Sequence, residues 1–163
     1  MLIDRAGLDT GRDNRSLQSH AEYLVLALAH VPGSTAACAA HGDARTVALL
    51  SDYYALVAHA AAGAGGRVVK VMGDGMLVTF PIDRVREAVE TLRSLQAKGT
   101  SLWRGFDERC HVEVKVDAGE VVCGLFGPPG DERPDIYGDA LNRLFKAPWG
   151  EFMLTPKVEA LLQ

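Results

Sequence analysis

An α/β fold of the α+β kind, a sheet with helices packed on one side, is predicted by three observations. Short valine- and leucine-rich runs of strand length alternate with longer stretches of helical periodicity. A Gly73-Asp74-Gly75 turn joins two of the strand runs directly, as in a β-hairpin. The predicted order β, α, β, β, α, β, β, α, β, α then places helices between pairs of strands. With 163 residues, 48% of them apolar and 23% charged, the chain can bury one proper core.

Residues 1–20 are polar, with Gly7, Gly11, Asn14 and several charges, and are expected to form a flexible extension or linker remnant. Whether Ser16 to Ala21 opens a short helix stays open. The folded domain is expected over residues 21–163. Glu22 to Ala29 is an apolar run ended by His30, Val31, Pro32 and Gly33, which suits a strand covered on both faces. From about Asp43 to Ala62, Leu50, Tyr54, Val57 and Ala61 recur at helical spacing until Gly63, Gly65 and Gly66 stop them. Arg67 to Met72 and Met76 to Phe80 are the hairpin strands, closed by Pro81. Ile82, Val85, Val89, Leu92 and Leu95 mark an amphipathic helix predicted to end near Gly99, with a loop of undefined form over Thr100 to Arg109.

His111 to Asp117 alternates, with Val112, Val114 and Val116 on one face and His111, Glu113, Lys115 and Asp117 on the other, so a half-exposed strand is expected. Gly119 is predicted to turn the chain into a further strand, Glu120 to Phe126. Gly127 to Pro134 reads as an exposed loop. A short helix over Asp139 to Ala147, a strand at Phe152 to Leu154 and a last helix at Pro156 to Leu162 complete the series.

The net charge of −4, with arginines scattered singly, argues against a nucleic-acid surface and a polybasic membrane patch. The longest apolar run is well short of the roughly 20 residues a spanning helix needs. Asp4, Arg5 and Asp9 leave no apolar export-signal core. Cys38, Cys110 and Cys123 show neither close pairing nor metal-ligand spacing, which fits a reducing cytoplasm.

Lys70-Val71-Met72-Gly73-Asp74-Gly75, after a double glycine and a valine-rich strand and before a strand ending in Phe80, resembles the central hairpin of the class III adenylyl and guanylyl cyclases. A Gly-Asp-Gly alone would be weak evidence; the neighbours carry the resemblance. Leu28-Ala29-His30-Val31-Pro32-Gly33-Ser34-Thr35 is similar to that family's first strand and turn. His111 to Gly127 resembles its later strand, Gly-Glu and strand. Asp135-Ile136-Tyr137-Gly138-Asp139-Ala140-Leu141-Asn142 resembles its purine and ribose motif. The resemblance spans roughly residues 23 to 163. It implies a ferredoxin-like βαββαβ core, helices mainly on one face, and a dimer with its sites at the interface. The family reaction closes ATP to cyclic AMP and pyrophosphate, and needs positioning and charge neutralisation more than covalent chemistry.

By that resemblance Asp74 takes the position of the second carboxylate that holds Mg²⁺ or Mn²⁺, although a hairpin aspartate also serves its own turn. Lys70 and Asp135 take the positions that read the adenine edge, a donor and an acceptor; the alternative, two ordinary surface charges, is disfavoured because both positions match together. Gly33, Ser34 and Thr35 belong to the turn expected to cradle the triphosphate. Asn142 takes the place of the ribose-orienting asparagine, or else faces or caps its helix. Lys146 stands where the family has an arginine that stabilises the transition-state phosphate.

Three departures imply a degenerate site. His30 stands where the first metal carboxylate belongs, and imidazole suits Mg²⁺ poorly. Pro32 removes one backbone donor from the phosphate turn. Lys146 keeps a charge without the planar fork of arginine. Trp149 nearby is expected to pack rather than to stack on a ligand. The sequence thus leaves several functions open. One is a cytoplasmic, catalytically weak or inactive cyclase-like domain that binds ATP or a related nucleotide, or a partner, as a homodimer. Another is an active Mn²⁺- or Mg²⁺-dependent adenylate cyclase. The last two are a half-site partner in a heterodimer and a purely structural dimerisation module.

Overall fold

Leu24 to Ala29 are all buried. An unbroken apolar run of this kind is stable as a strand only where both faces are covered and both edges paired. The computed structural model describes residues 19–163. The lead-in expected over residues 1–20 lies outside the described residues as far as residue 18, and His20 and Ala21 already belong to a strand.

That strand, β1 (His20–His30), is followed by helices α1 (Ser34–His41) and α2 (Asp43–Gly63) and by the hairpin β2 (Arg67–Met72) and β3 (Gly75–Pro81). A 3₁₀ turn (Ile82–Arg84) leads into α3 (Val85–Phe106), then β4 (Glu113–Phe126), β5 (Arg133–Tyr137), α4 (Asp139–Lys146), β6 (Phe152–Leu154) and α5 (Pro156–Leu162). The sheet order is β2-β3-β1-β4-β5, with antiparallel pairing along this path and β6 added parallel to the start of β4. One face carries the larger core, where Val25, Ala27 and Ala29 of β1 and Val114 and Val116 of β4 meet α2, α3 and α5. The other face carries a smaller cluster, Leu24, Leu26, Leu28, Leu77 and Val121 under Leu141 and Leu144 of α4. The expected α/β architecture with helices mainly on one face is present.

The structure corrects the sequence expectation at five places. First, Ser34–His41 is helical, a segment for which no helix was expected. Second, α3 does not stop near Gly99 but runs to Phe106. Gly99 is a packing position there: a Cβ would lie 2.9 Å from Val112 Cγ2 and 3.4 Å from a Tyr53 ring carbon. The glycine admits Val112, just before β4, and Tyr53 of α2 rather than ending the helix, and Trp103 beyond it is fully buried. Third, β4 is one strand of 14 residues, and Gly119 is no turn. A Cβ at Gly119 would meet Ala140 Cβ at 2.6 Å, so the glycine lets α4 lie directly on the sheet. Fourth, β5 pairs with the end of β4 where only loop and motif were expected.

Fifth, the polar face of β4 is not exposed. Lys115 and Asp117 are buried under α4 and the segment after it. Asp117 Oδ1 accepts from the Thr155 hydroxyl at 2.7 Å and the Ala118 N–H at 2.8 Å, and Oδ2 lies 3.2 Å from the Arg143 guanidinium. Alternation along the strand was right; burial depended on a helix whose seat is not visible in the alternation.

Gly119→Ala should lower stability by about 1–3 kcal/mol, because α4 has to lift off β4 to admit one methyl group. Urea unfolding of the two proteins checks this. An unchanged midpoint would mean that α4 is not held against β4.

Candidate nucleotide and metal site

Antiparallel pairing places His30, the last residue of β1, directly opposite Glu113, the first of β4. On the other side of β1, Ala29 pairs with Met76 of β3, which brings the β2–β3 hairpin tip beside His30. The tip is a two-residue turn, Gly73-Asp74, between the paired Met72 and Gly75. Gly73 takes φ +67°, the left-handed conformation that a type II′ turn requires at its first position. The Tyr54 hydroxyl of α2 donates to the Gly73 carbonyl at 2.6 Å and pins the turn from outside the sheet.

Asp74 is thereby held at the end of β1. Its Oδ2 accepts from the Val31 backbone N–H at 2.8 Å and lies 3.6 Å from His30 Nδ1. The opposite ring nitrogen, Nε2, lies 3.7 Å from Glu113 Oε2. Glu113 Oε1 is 3.4 Å from His111 Nε2. The imidazole therefore sits between two carboxylates, and the Trp149 ring closes over it with centroids 4.2 Å apart.

Lys115, two residues along β4, shares this neighbourhood. Its Nζ donates to the carbonyls of Phe145 and Ala147 at 3.0 and 2.9 Å and lies 4.0 Å from the centre of the Trp149 ring. A cation on the last carbonyls of α4 favours the helix end. Burial pushes the Lys115 ammonium below its ordinary range. Trp149 packs, as expected, and what it packs against is His30 and Lys115.

Lys70 and Asp135 form a second locus. The β2–β3 register shifts between Val68 and Lys70, so the extra Val69 brings Lys70 opposite Leu77, on the face of the smaller core cluster. Lys70 Nζ then reaches Asp135 Oδ2 at 2.5 Å, although β2 and β5 are the two ends of the sheet path. Asp135 Oδ1 accepts from the Ile136 N–H at 2.9 Å. Two clefts of about 430 and 490 Å³ flank the pair, with Asp135 lining both. Volumes of this size suit a small organic ligand.

The turn after β1 offers fewer donors than its sequence suggests. Pro32 has none, the Val31 N–H is taken by Asp74, and the Ser34 N–H goes to the Val31 carbonyl at 3.2 Å. Gly33 and Thr35 are exposed while Ser34 is buried. The first-turn N–H groups of α1 face this turn, which is the anion-favouring end of a helix. Asn142 and Lys146 lie on exposed positions of α4. Among the described residues, no hydrogen bond or ion pair joins them to Asp74, or joins the Asp74–His30 pair to the Lys70–Asp135 pair.

Sequence reasoning passed over Glu113, Lys115 and Tyr54 as candidates. Glu113 and Lys115 read only as the polar side of an alternating strand. The β1–β4 register that sets Glu113 against His30 is a long-range fact with no local signature.

The donor set does not fit a two-magnesium centre. The corner holds two carboxylates on opposite sides of an imidazole, and one Asp74 oxygen already serves the Val31 N–H. Mg²⁺ demands near-octahedral oxygen coordination. One imidazole nitrogen among carboxylate oxygens is accepted more readily by Mn²⁺.

A strand-end acidic turn, a helix start beside it and a Lys–Asp pair, on this sheet order, agree with a nucleotide cyclase type of domain. The family model for the adenylate and guanylate cyclase catalytic domain matches residues 18–147, and the chain belongs to that family. It is similar to adenylate cyclase 2 of Rhizobium meliloti (strain 1021), 24% identical over 140 residues that make up 82% of this chain and 38% of that one. The chain thus spans well under half the length of this curated relative. Among solved structures it is similar to the adenylyl cyclase CyaB from P. aeruginosa, with a TM-score of 0.79 at 17% identity over 89% of this chain and 82% of that one. It also resembles the guanylyl cyclase Cya2, with a TM-score of 0.73 at 19% identity over 90% and 81% of the two chains. The fold thus occurs in adenylyl and guanylyl cyclases alike and does not by itself choose between the purines. Among the described residues, no helix is long and apolar enough to cross a membrane.

Proposed function

We propose that this chain is an adenine-nucleotide-binding cyclase domain whose magnesium-dependent turnover is weak or lost, and which acts as a dimeric binding or regulatory unit. The observation that carries this is His30. The end of β1, where the family resemblance calls for a metal carboxylate, holds an imidazole engaged with Asp74, Glu113 and Trp149. Recognition of the base falls to Lys70 and Asp135. Lys70 donates to a ring nitrogen of adenine and Asp135 accepts from its exocyclic amino group, so their mutual ion pair opens when the base enters. Guanine would leave both groups unpaired. The first turn of α1 and Lys146 supply positive potential for the phosphates, and Asn142 orients the ribose.

Glu113 supports a second reading. It returns a carboxylate beside the imidazole, and with Asp74 the corner would suit a manganese-dependent adenylate cyclase better than a magnesium-dependent one.

Calorimetric titration of the purified protein with ATP and with GTP tests the main reading. ATP should bind measurably and more tightly than GTP. A folded protein that binds neither would leave a structural module and remove the nucleotide from the proposal.

A further inference from the structure

The opposite end of β1 from His30 carries a second group of metal-ligating side chains. His20 and Glu22 are two residues apart on a strand and so share a face. In the β1–β4 register His20 lies directly across from Cys123, and Glu22 from Val121. The side chains converge accordingly. His20 Nε2 is 3.4 Å from Glu22 Oε2, and the Cys123 thiol donates to the same oxygen at 3.5 Å. One nitrogen, one oxygen and one sulfur, each from a different residue, all lie within 4.8 Å of one another.

We propose that His20, Glu22 and Cys123 form a zinc-type metal site, separate from the His30–Asp74 corner and on one of the clefts that Asp135 lines. Imidazole, carboxylate and thiolate are the three donor classes that zinc accepts, and three protein ligands leave a fourth position open. Bonds of about 2.0–2.3 Å around a tetrahedral ion ask for ligand atoms somewhat closer together than they stand now. His20 is largely exposed, so its ring is free to close that gap. His20 and Cys123 also line the cleft of about 430 Å³ that Asp135 lines.

Further observations bear on this assignment. The site lies at the far end of an 11-residue strand from His30, roughly 30 Å away at the ordinary rise per residue. A thiolate ligand would make it selective for zinc-like ions over Mg²⁺. Cys123 has no disulfide partner among the described residues. Arg67 lines the same cleft and acts on the Cys123 sulfur, opposing a cation until its exposed side chain swings away. Cys123 also pairs with Ile136, so an ion here would stiffen the strand that carries Asp135.

Co²⁺ titration of the full chain, followed by thiolate-to-cobalt charge-transfer absorption, tests the site directly. The band should grow to one equivalent per chain and be displaced by Zn²⁺. Cys123→Ser should abolish it, His20→Ala should weaken Co²⁺ binding by at least about tenfold, and Asp74→Ala should leave it intact. Since His20 is at the surface, its variant stays informative even where a change at the buried cysteine disturbs folding. Absence of a thiolate band in the unmodified protein, or a band that survives His20→Ala at full affinity, would overturn the assignment.

Discussion

His30→Asp is expected to raise Mg²⁺ affinity by at least about tenfold and to bring magnesium-dependent cyclic AMP formation above background. The exchange swaps a neutral nitrogen donor for two anionic oxygens at the end of β1, where hard cations gain most from charge. The same change removes both imidazole–carboxylate contacts and sets three carboxylates together, the introduced one between Asp74 and Glu113. Without metal the variant should therefore be less stable than the parent, through repulsion of like charges. With Mg²⁺ at about a hundred times its dissociation constant, melting should rise by roughly 5–10 °C, since the ion binds only the folded state. His30→Asn supplies the control. It also removes the imidazole but adds no charge, and it should gain neither Mg²⁺ affinity nor product. A folded His30→Asp protein with a magnesium-dependent melting rise but no cyclic AMP would place the remaining defect at Pro32 and Lys146.

The second large effect is expected at the Lys70–Asp135 pair. If the pair reads the base as proposed, removing either group takes away one charge-assisted hydrogen bond worth roughly 1.5–3 kcal/mol. Lys70→Ala and Asp135→Ala should each weaken ATP binding by roughly ten- to a hundredfold, and GTP binding by much less. Each change also breaks the ion pair in the free protein. Lys70 is partly exposed, so that loss should be small for folding and the binding loss is readable by calorimetry. Equal weakening of ATP and GTP would mean that the pair is a structural clasp between β2 and β5 and does not read the base.

The strand and helix segments were legible wherever local pattern and tertiary packing agree. The buried β1 run, the β2–β3 hairpin and the amphipathic start of α3 all announce themselves through periodicity and turn chemistry. Gly99 and Gly119 misled for one shared reason. A glycine signals a turn by conformational freedom and a close approach by its missing side chain, and only the packed structure separates the two uses. β5 escaped because Pro134 and the preceding glycines read as loop, although the strand pairs back on the end of β4 as a hairpin across residues 127–132. Within the candidate site, His30, Asp74, Lys70 and Asp135 could be named from short motifs. Structure added that these form two separate pairs, His30 with Asp74 and Lys70 with Asp135. Glu113 and Lys115 could not be named, because their importance lies in register and in burial by α4 and Trp149. The family itself was legible in the motif series.

Cyclic AMP formation from ATP by the unmodified protein, with Mg²⁺ and Mn²⁺ in parallel, tests most directly whether a site with His30 at the end of β1 supports magnesium-dependent turnover. ATP should bind while magnesium-supported product stays at background, and any manganese-supported product should vanish in Asp74→Ala. Magnesium-supported turnover in the ordinary enzymatic range of about 1–10³ s⁻¹ would contradict it, and would make the imidazole at residue 30 a working part of the catalytic site.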